Sequence, residues 1–106
     1  VFLDEKPQGE VTVTPARPLK LSEAIRIGAQ RTEQCRGHYI DGDRACVYGA
    51  AAIGMGGGVE LAGLLHVRSI EENRAFTRVH GRGIMLANDA GMSREQIADW
   101  LEEHGW

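Results

Sequence analysis

Apolar positions recur at helical spacing over most of this chain. The clearest stretch is the last one. In Met92-Ser93-Arg94-Glu95-Gln96-Ile97, Ser93 is placed to N-cap a helix and Gln96 to reach back to the Ser93 amide. Met92 and Ile97 occupy the two hydrophobic-staple positions, Ile97, Trp100 and Leu101 form one stripe, and Gly105 marks the end. A first helix is predicted from Leu21-Ser22-Glu23-Ala24-Ile25, with Ser22 as cap and Glu23 at the positive end of the dipole. Its buried face carries Leu21, Ala24, Ile25, Gly28, Ala29 and Thr32. Gly28 costs about 1 kcal/mol against Ala in a helix, and a close helix crossing would offset that cost.

The middle of the chain is punctuated by glycine. Asp41-Gly42 marks a tight turn, after which Asp43 would cap a helix from Arg44 to about Met55; a hairpin across Asp41-Gly42 is the alternative. Gly49-Ala50-Ala51-Ala52 has almost no side-chain bulk and suits a central helix on which neighbours pack closely. Gly56-Gly57-Gly58 breaks the pattern. Val59–His66 then carries Leu61, Leu64 and Leu65 at helical spacing, and the capping box Ser69-Ile70-Glu71-Glu72 restarts a helix to about Val79. His80–Gly83 reads as a loop, Ile84-Met85-Leu86 as buried, and Asn88–Gly91 as a turn into the last helix.

Near the start, Val11-Thr12-Val13-Thr14 alternates at period two, a short strand. A lone strand needs a partner, whether around His38–Ile40, around Ile84–Leu86, or in another subunit. The expected architecture is mainly α, a compact bundle of four to five short helices with a short N-terminal β arm. Residues 1–18 form the arm and 19–106 a single helical domain. The first and last helices would pack on the central one through Leu21, Ile25, Ile97, Trp100 and Leu101.

Composition narrows the classes. At 106 residues, 42% hydrophobic and 25% charged, the chain reads as one globular domain. Aromatics are scarce and glycines number 14, so the core must rest on aliphatic side chains and close backbone contacts. Net charge is −3, with seven basic and seven acidic residues in 1–53 and five against eight in 54–106. No basic run stands out, which argues against nucleic acid as a partner. No apolar run is long enough to span a membrane. Two cysteines make no disulfide framework, and a cytoplasmic setting is expected. No secretory signal is visible, although a chain opening at Val1 without Met leaves room for a removed segment.

Candidate chemistry is sparse. Cys35, His38 and Cys46 are three metal-type ligands within twelve residues, and His66 or His80 could complete a tetrahedral zinc site. Against zinc, Cys46 sits near the start of an Ala-rich helix, where a small buried thiol packs well; a Cys35–Cys46 redox pair is a third option. Asp41-Gly42-Asp43 opens like a calcium loop but meets Ala45 and Ala52 where ligands are needed. The triple glycine lacks the Lys-Ser/Thr of a phosphate loop and reads as a hinge. Cys35 and His38 are the only local nucleophile–base pair, without an oxyanion-hole motif. Asn88-Asp89 can satisfy free amides at a helix start. Ser93–Ala98 echoes the first half of a helix-turn-helix with no recognition helix after it. Trp100 belongs in the core, while Trp106 either covers the core or protrudes as a contact residue.

Cys46-Val47-Tyr48-Gly49-Ala50-Ala51, Asn88-Asp89 and Ser93–Leu101 together resemble a group of small bacterial and phage proteins without assigned activity. That group shows Cys-x-x-Gly-Ala, a Leu-Asn-Asp-like turn and a closing amphipathic helix. The resemblance spans about Leu19 to Glu103. Residues 56–83 and the arm lie outside it, and Ala87 stands where the group has Leu. It implies a shared helical fold and a phage or mobile-element origin, and it assigns no catalytic residue. The expected function is a non-enzymatic interaction protein acting on a protein partner or by self-association, with Val11, Val13 and Trp106 as contact residues. The rivals are a small zinc module built on Cys35, His38 and Cys46, and an enzyme or small-ligand binder whose pocket gathers Cys35, His38 and Asp41.

Overall fold

The computed structural model describes residues 19–106. The expected strand at Val11–Thr14, with contact residues Val11 and Val13, lies outside the described residues. Six helices and a three-stranded sheet follow in the order α1 (Leu21–Arg31), β1 (Glu33–Gln34), β2 (Ile40–Asp41), β3 (Arg44–Ala45), α2 (Val47–Gly54), α3 (Val59–Arg68), α4 (Ile70–His80), α5 (Ile84–Asp89) and α6 (Arg94–Glu103). The fold is mainly helical, as expected, with one more helix than the pattern suggested and a small sheet besides.

That sheet decides between the two readings of Asp41–Arg44. The hairpin is the observed one. Gly42 takes φ +64°, a conformation that favours glycine, and Ile40 and Asp41 pair antiparallel with Ala45 and Arg44. β3 is the middle strand, since Glu33 and Gln34 pair parallel with Arg44 and Ala45 on its other edge. Arg44 and Ala45 therefore spend their main-chain groups on two neighbours and cannot join a helix. α2 starts only at Val47, and its cap is Cys46, not Asp43; the thiol accepts from the Gly49 amide at 3.4 Å.

α2 is the central helix, buried from Val47 to Ala52. α1 packs along it, and α6 packs on α1. Two backbones come into direct contact. A methyl group added at Gly28 would fall on the Ala50 carbonyl, one at Gly49 on the Tyr39 carbonyl, and one at Gly54 on the Ala24 carbonyl. Gly28 and Gly54 thus trade helix propensity for the approach of α1 to α2, as Gly28 alone had suggested, and Gly49 does so for the segment at Tyr39. Ile25, Tyr48, Phe76, Ile84, Ile97 and Leu101 fill the remaining space and are fully buried. Full burial of each such side chain contributes about 1.5–3 kcal/mol.

The helix starts differ in how well local pattern located them. At α6 the capping box forms as expected: Gln96 N–H donates to Ser93 Oγ at 3.0 Å, and Ser93 N–H to Gln96 Oε1 at 3.0 Å. At α1 the cap is Lys20, whose amide donates to Glu23 at 2.8 Å. Ser22 is buried, its hydroxyl is unpartnered, and its amide donates to the main-chain oxygen of Trp106 at 3.1 Å. The end of the chain thereby satisfies one free amide of α1's first turn. Trp106 is half-buried against the core and Trp100 likewise, edge-on to Phe76. Ile84-Met85-Leu86 is the start of α5; only Ile84 is buried and Leu86 is 62% exposed. Asn88-Asp89 closes that helix instead of forming a turn.

Candidate functional site

The C-terminal half of α3 and the outer face of α4 enclose an open groove of about 600 Å³. α4 is anchored through Phe76, its one buried residue, and through Asn73, whose Oδ1 accepts from the Ile84 amide at 2.8 Å. His80 stacks on Phe76 with ring centres 4.0 Å apart. Ile70, Arg74 and Arg78 recur every fourth residue on the side away from Phe76, so the anchoring of Phe76 turns them outward. Val67 and Ile70 are 70% and 59% exposed, and both line the groove.

The floor of the groove is held rigid by a polar network. His66 stacks on Tyr48, ring centres 4.6 Å apart, and its Nδ1 lies 2.9 Å from the Tyr39 hydroxyl. The Tyr48 hydroxyl meets Ser69 Oγ at 2.6 Å, and Ser69 Oγ donates to the His66 carbonyl at 3.2 Å. Burial pushes the Tyr48 phenol up to about 12, so it stays protonated and holds the corner between α3 and α4. Ser69 was expected to cap α4. Its hydroxyl is committed to this network instead and caps nothing.

A second concavity, about 400 Å³, is lined by Gln34, Cys35, Arg36, His38, Asp41 and Arg44. It brings Cys35, His38 and Asp41 to one place, the arrangement a small-ligand site requires. Cys46 does not line it. The Cys35 thiol donates to the His38 main-chain carbonyl at 3.4 Å, and Asp41 pairs with Arg44 at 3.1 Å. Burial pushes both thiols above their ordinary pKa, so neither is a ready thiolate at neutral pH. Among the described residues, no three His, Cys, Asp or Glu side chains gather at metal-binding spacing.

Two polar residues behind this pocket have partners that sequence reasoning did not foresee, and Arg94 was not singled out at all. Asn88, fully buried, stands where the β1–β3 ladder parts. Its Nδ2 donates to the Cys35 carbonyl at 3.0 Å while its Oδ1 accepts from Val47 N–H at 3.1 Å and from Gln34 Nε2 at 2.9 Å. The carboxamide thus stands in for a peptide group between the two strands. It satisfies a helix amide as anticipated, but at α2 and not at α6. Arg94, 4% exposed, donates to Thr32 Oγ1, the Thr32 carbonyl and the Ala45 carbonyl at 2.7, 2.8 and 3.2 Å. Burial lowers its pKa, and its Nε has no partner. The available signal was position: a cation in the first turn of α6 opposes the helix dipole, so it needs another reason to be there.

Compared with known protein families, curated proteins and solved structures, the chain matches none. The likeness to small bacterial and phage proteins therefore rests on its motifs alone. Among the described residues, no single helix is long and apolar enough to cross a membrane.

Proposed function

We propose that this chain is a non-enzymatic interaction protein that engages another protein through the α3–α4 groove, in keeping with the phage or mobile-element origin its motifs suggest. The observation that carries this reading is the pair Val67 and Ile70, large aliphatic side chains left in solvent beside a concave surface. Adjacent exposed apolar groups on a groove are what a partner's side chains cover. The rigid floor under His66 and Ser69 also favours binding, because a preformed surface loses little entropy when occupied. The test is photo-crosslinking in the source cell with benzoylphenylalanine at Val67, and at Glu103 as a remote control. A discrete adduct from Val67 and not from Glu103 is expected. Absence of any adduct at Val67 would sink the proposal.

A second reading has one observation behind it, the shared pocket of Cys35, His38 and Asp41. It makes the chain a binder of a small polar ligand held by Arg36 and Arg44. A fragment screen by NMR tests it: shifts confined to residues 34–44 would favour this pocket over the groove.

A further inference from the structure

We infer that the partner segment seated in the α3–α4 groove is acidic as well as apolar; the inference rests on the interaction reading above and specifies its ligand. Four of the five basic residues in 54–106 fall between positions 68 and 82, against the two carboxylates Glu71 and Glu72 in the first turn of α4, while α6 carries Glu95, Asp99, Glu102 and Glu103. The arginines of the molecule meet different fates. Arg26 pairs with Asp99 and Glu102, Arg44 pairs with Asp41, and Arg94 is buried among main-chain carbonyls. Arg74 and Arg78 pair with no carboxylate among the described residues, and no carboxylate lines the groove they border. A molecule of net charge −3 therefore presents a local basic stripe beside its exposed aliphatic pair. Long-range repulsion from the acidic remainder is weak at physiological salt, where charges more than about 8 Å apart are screened. The groove itself attracts anions.

The spacing sets the ligand pattern. Ile70, Arg74 and Arg78 lie about 6 Å apart in sequence along α4, from the 1.5 Å rise per residue. An extended chain advances about 6.6 Å in two residues, so an apolar residue followed by carboxylates two and four positions later matches the stripe. Val67 receives a second apolar side chain at the same end. A polyanion such as nucleic acid would satisfy Arg74 and Arg78 but leave Val67 and Ile70 facing a phosphate backbone, so an acidic amphipathic peptide fits the whole surface better.

The experiment is selection of a random twelve-residue peptide library against the immobilised full chain, repeated against the double variant Arg74→Glu/Arg78→Glu. Both substitutions lie on an exposed face, and circular dichroism melts confirm that the variant folds. Enriched peptides are expected to combine Leu, Ile or Phe with Asp or Glu and to bind the variant at least about tenfold more weakly, a change typical of losing close charge pairs. They should also weaken with added salt and shift the resonances of Val67, Ile70, Arg74 and Arg78. Peptides without acidic bias that bind both proteins equally would overturn the charge inference. If such peptides still lose binding on Val67→Ser, the groove stands as a protein-binding surface and only its acidic specificity fails. No enrichment at all, binding of a double-stranded DNA oligonucleotide in place of peptide, or self-association through α6 abolished by the same variant would each overturn the inference.

Discussion

Asn88 offers the sharpest test of how this fold is held together. Replacement by Ala removes the carboxamide that joins Cys35 to Val47 and leaves the Cys35 carbonyl and the Val47 amide buried without partners. Each orphaned group costs about 1–3 kcal/mol, so Asn88→Ala should lose about 2–6 kcal/mol. That is a large part of the total stability of a small domain, about 5–15 kcal/mol. Gln34 loses less, because its side chain also donates to the Met92 carbonyl at 2.8 Å. Asn88→Asp separates the two bonds. The new carboxylate keeps an acceptor for Val47 but turns a second oxygen toward the Cys35 carbonyl and lies beside Asp89. A buried carboxylate in that position has its pKa raised. Its folded form then holds a proton that the unfolded form has released, so stability rises as pH falls toward the ordinary carboxylate range and the gap to wild type narrows. Urea denaturation followed by circular dichroism, at several pH values and with unchanged m, measures both effects. An Asn88→Ala midpoint equivalent to within about 0.5 kcal/mol of wild type, the range of neutral surface changes, would refute the bridging role.

Gly28→Ala should destabilise by about 1–3 kcal/mol despite its better helix propensity, because the methyl meets the Ala50 backbone. Gly63→Ala, in α3, meets only the Tyr39 ring at 3.8 Å and should stabilise by about 0.5–1 kcal/mol; thermal melts of the pair that move the same way would contradict the close-crossing account. Ser93→Ala should cost about 1 kcal/mol through loss of the α6 cap, and an unchanged urea midpoint would count against it. Tyr48 predicts an alkaline limb. The unfolded phenol ionises near 10 while the folded one holds its proton to about 12, so between those values unfolding gains about 1.4 kcal/mol per pH step. That slope should flatten in Tyr48→Phe, and an identical slope would assign it elsewhere. Native mass spectrometry should give the mass of the bare chain; a retained zinc adduct lost on Cys35→Ser would restore Cys35, His38 and Cys46 as ligands.

Local chemistry was legible wherever neighbours in sequence decide the outcome. The Ser93–Gln96 box needs only four consecutive residues, and it formed as read. The triple glycine broke the chain between α2 and α3, and the bulk-free Gly49–Ala52 run marked the central helix, because both properties belong to the residues themselves. Gly28 even disclosed the existence of a close crossing, since its propensity cost requires compensation. Which backbone it approaches was beyond local reading.

Tertiary structure decided the rest. Asp43 is an adequate cap in isolation, but the parallel partner Glu33–Gln34 competes for Arg44 and Ala45, and the helix start moves to Cys46. Ser22 is likewise a good cap by type, yet Lys20 takes the role and the Ser22 amide goes to Trp106, far along the chain. Asn88 and Arg94 look like ordinary turn and helix residues until folding sets them against Cys35, Val47, Thr32 and Ala45. The α3–α4 groove follows the same rule. Periodicity marks Ile70, Arg74 and Arg78 as helical residues and ends the preceding helix at His66, short of the Val67 and Arg68 that complete it, but only the docking of Phe76 determines that this face is left in water. Short-range hydrogen bonding and backbone propensity are written residue by residue. Burial, pairing and exposure depend on which distant segments win each contact, and that is settled only when the whole chain packs.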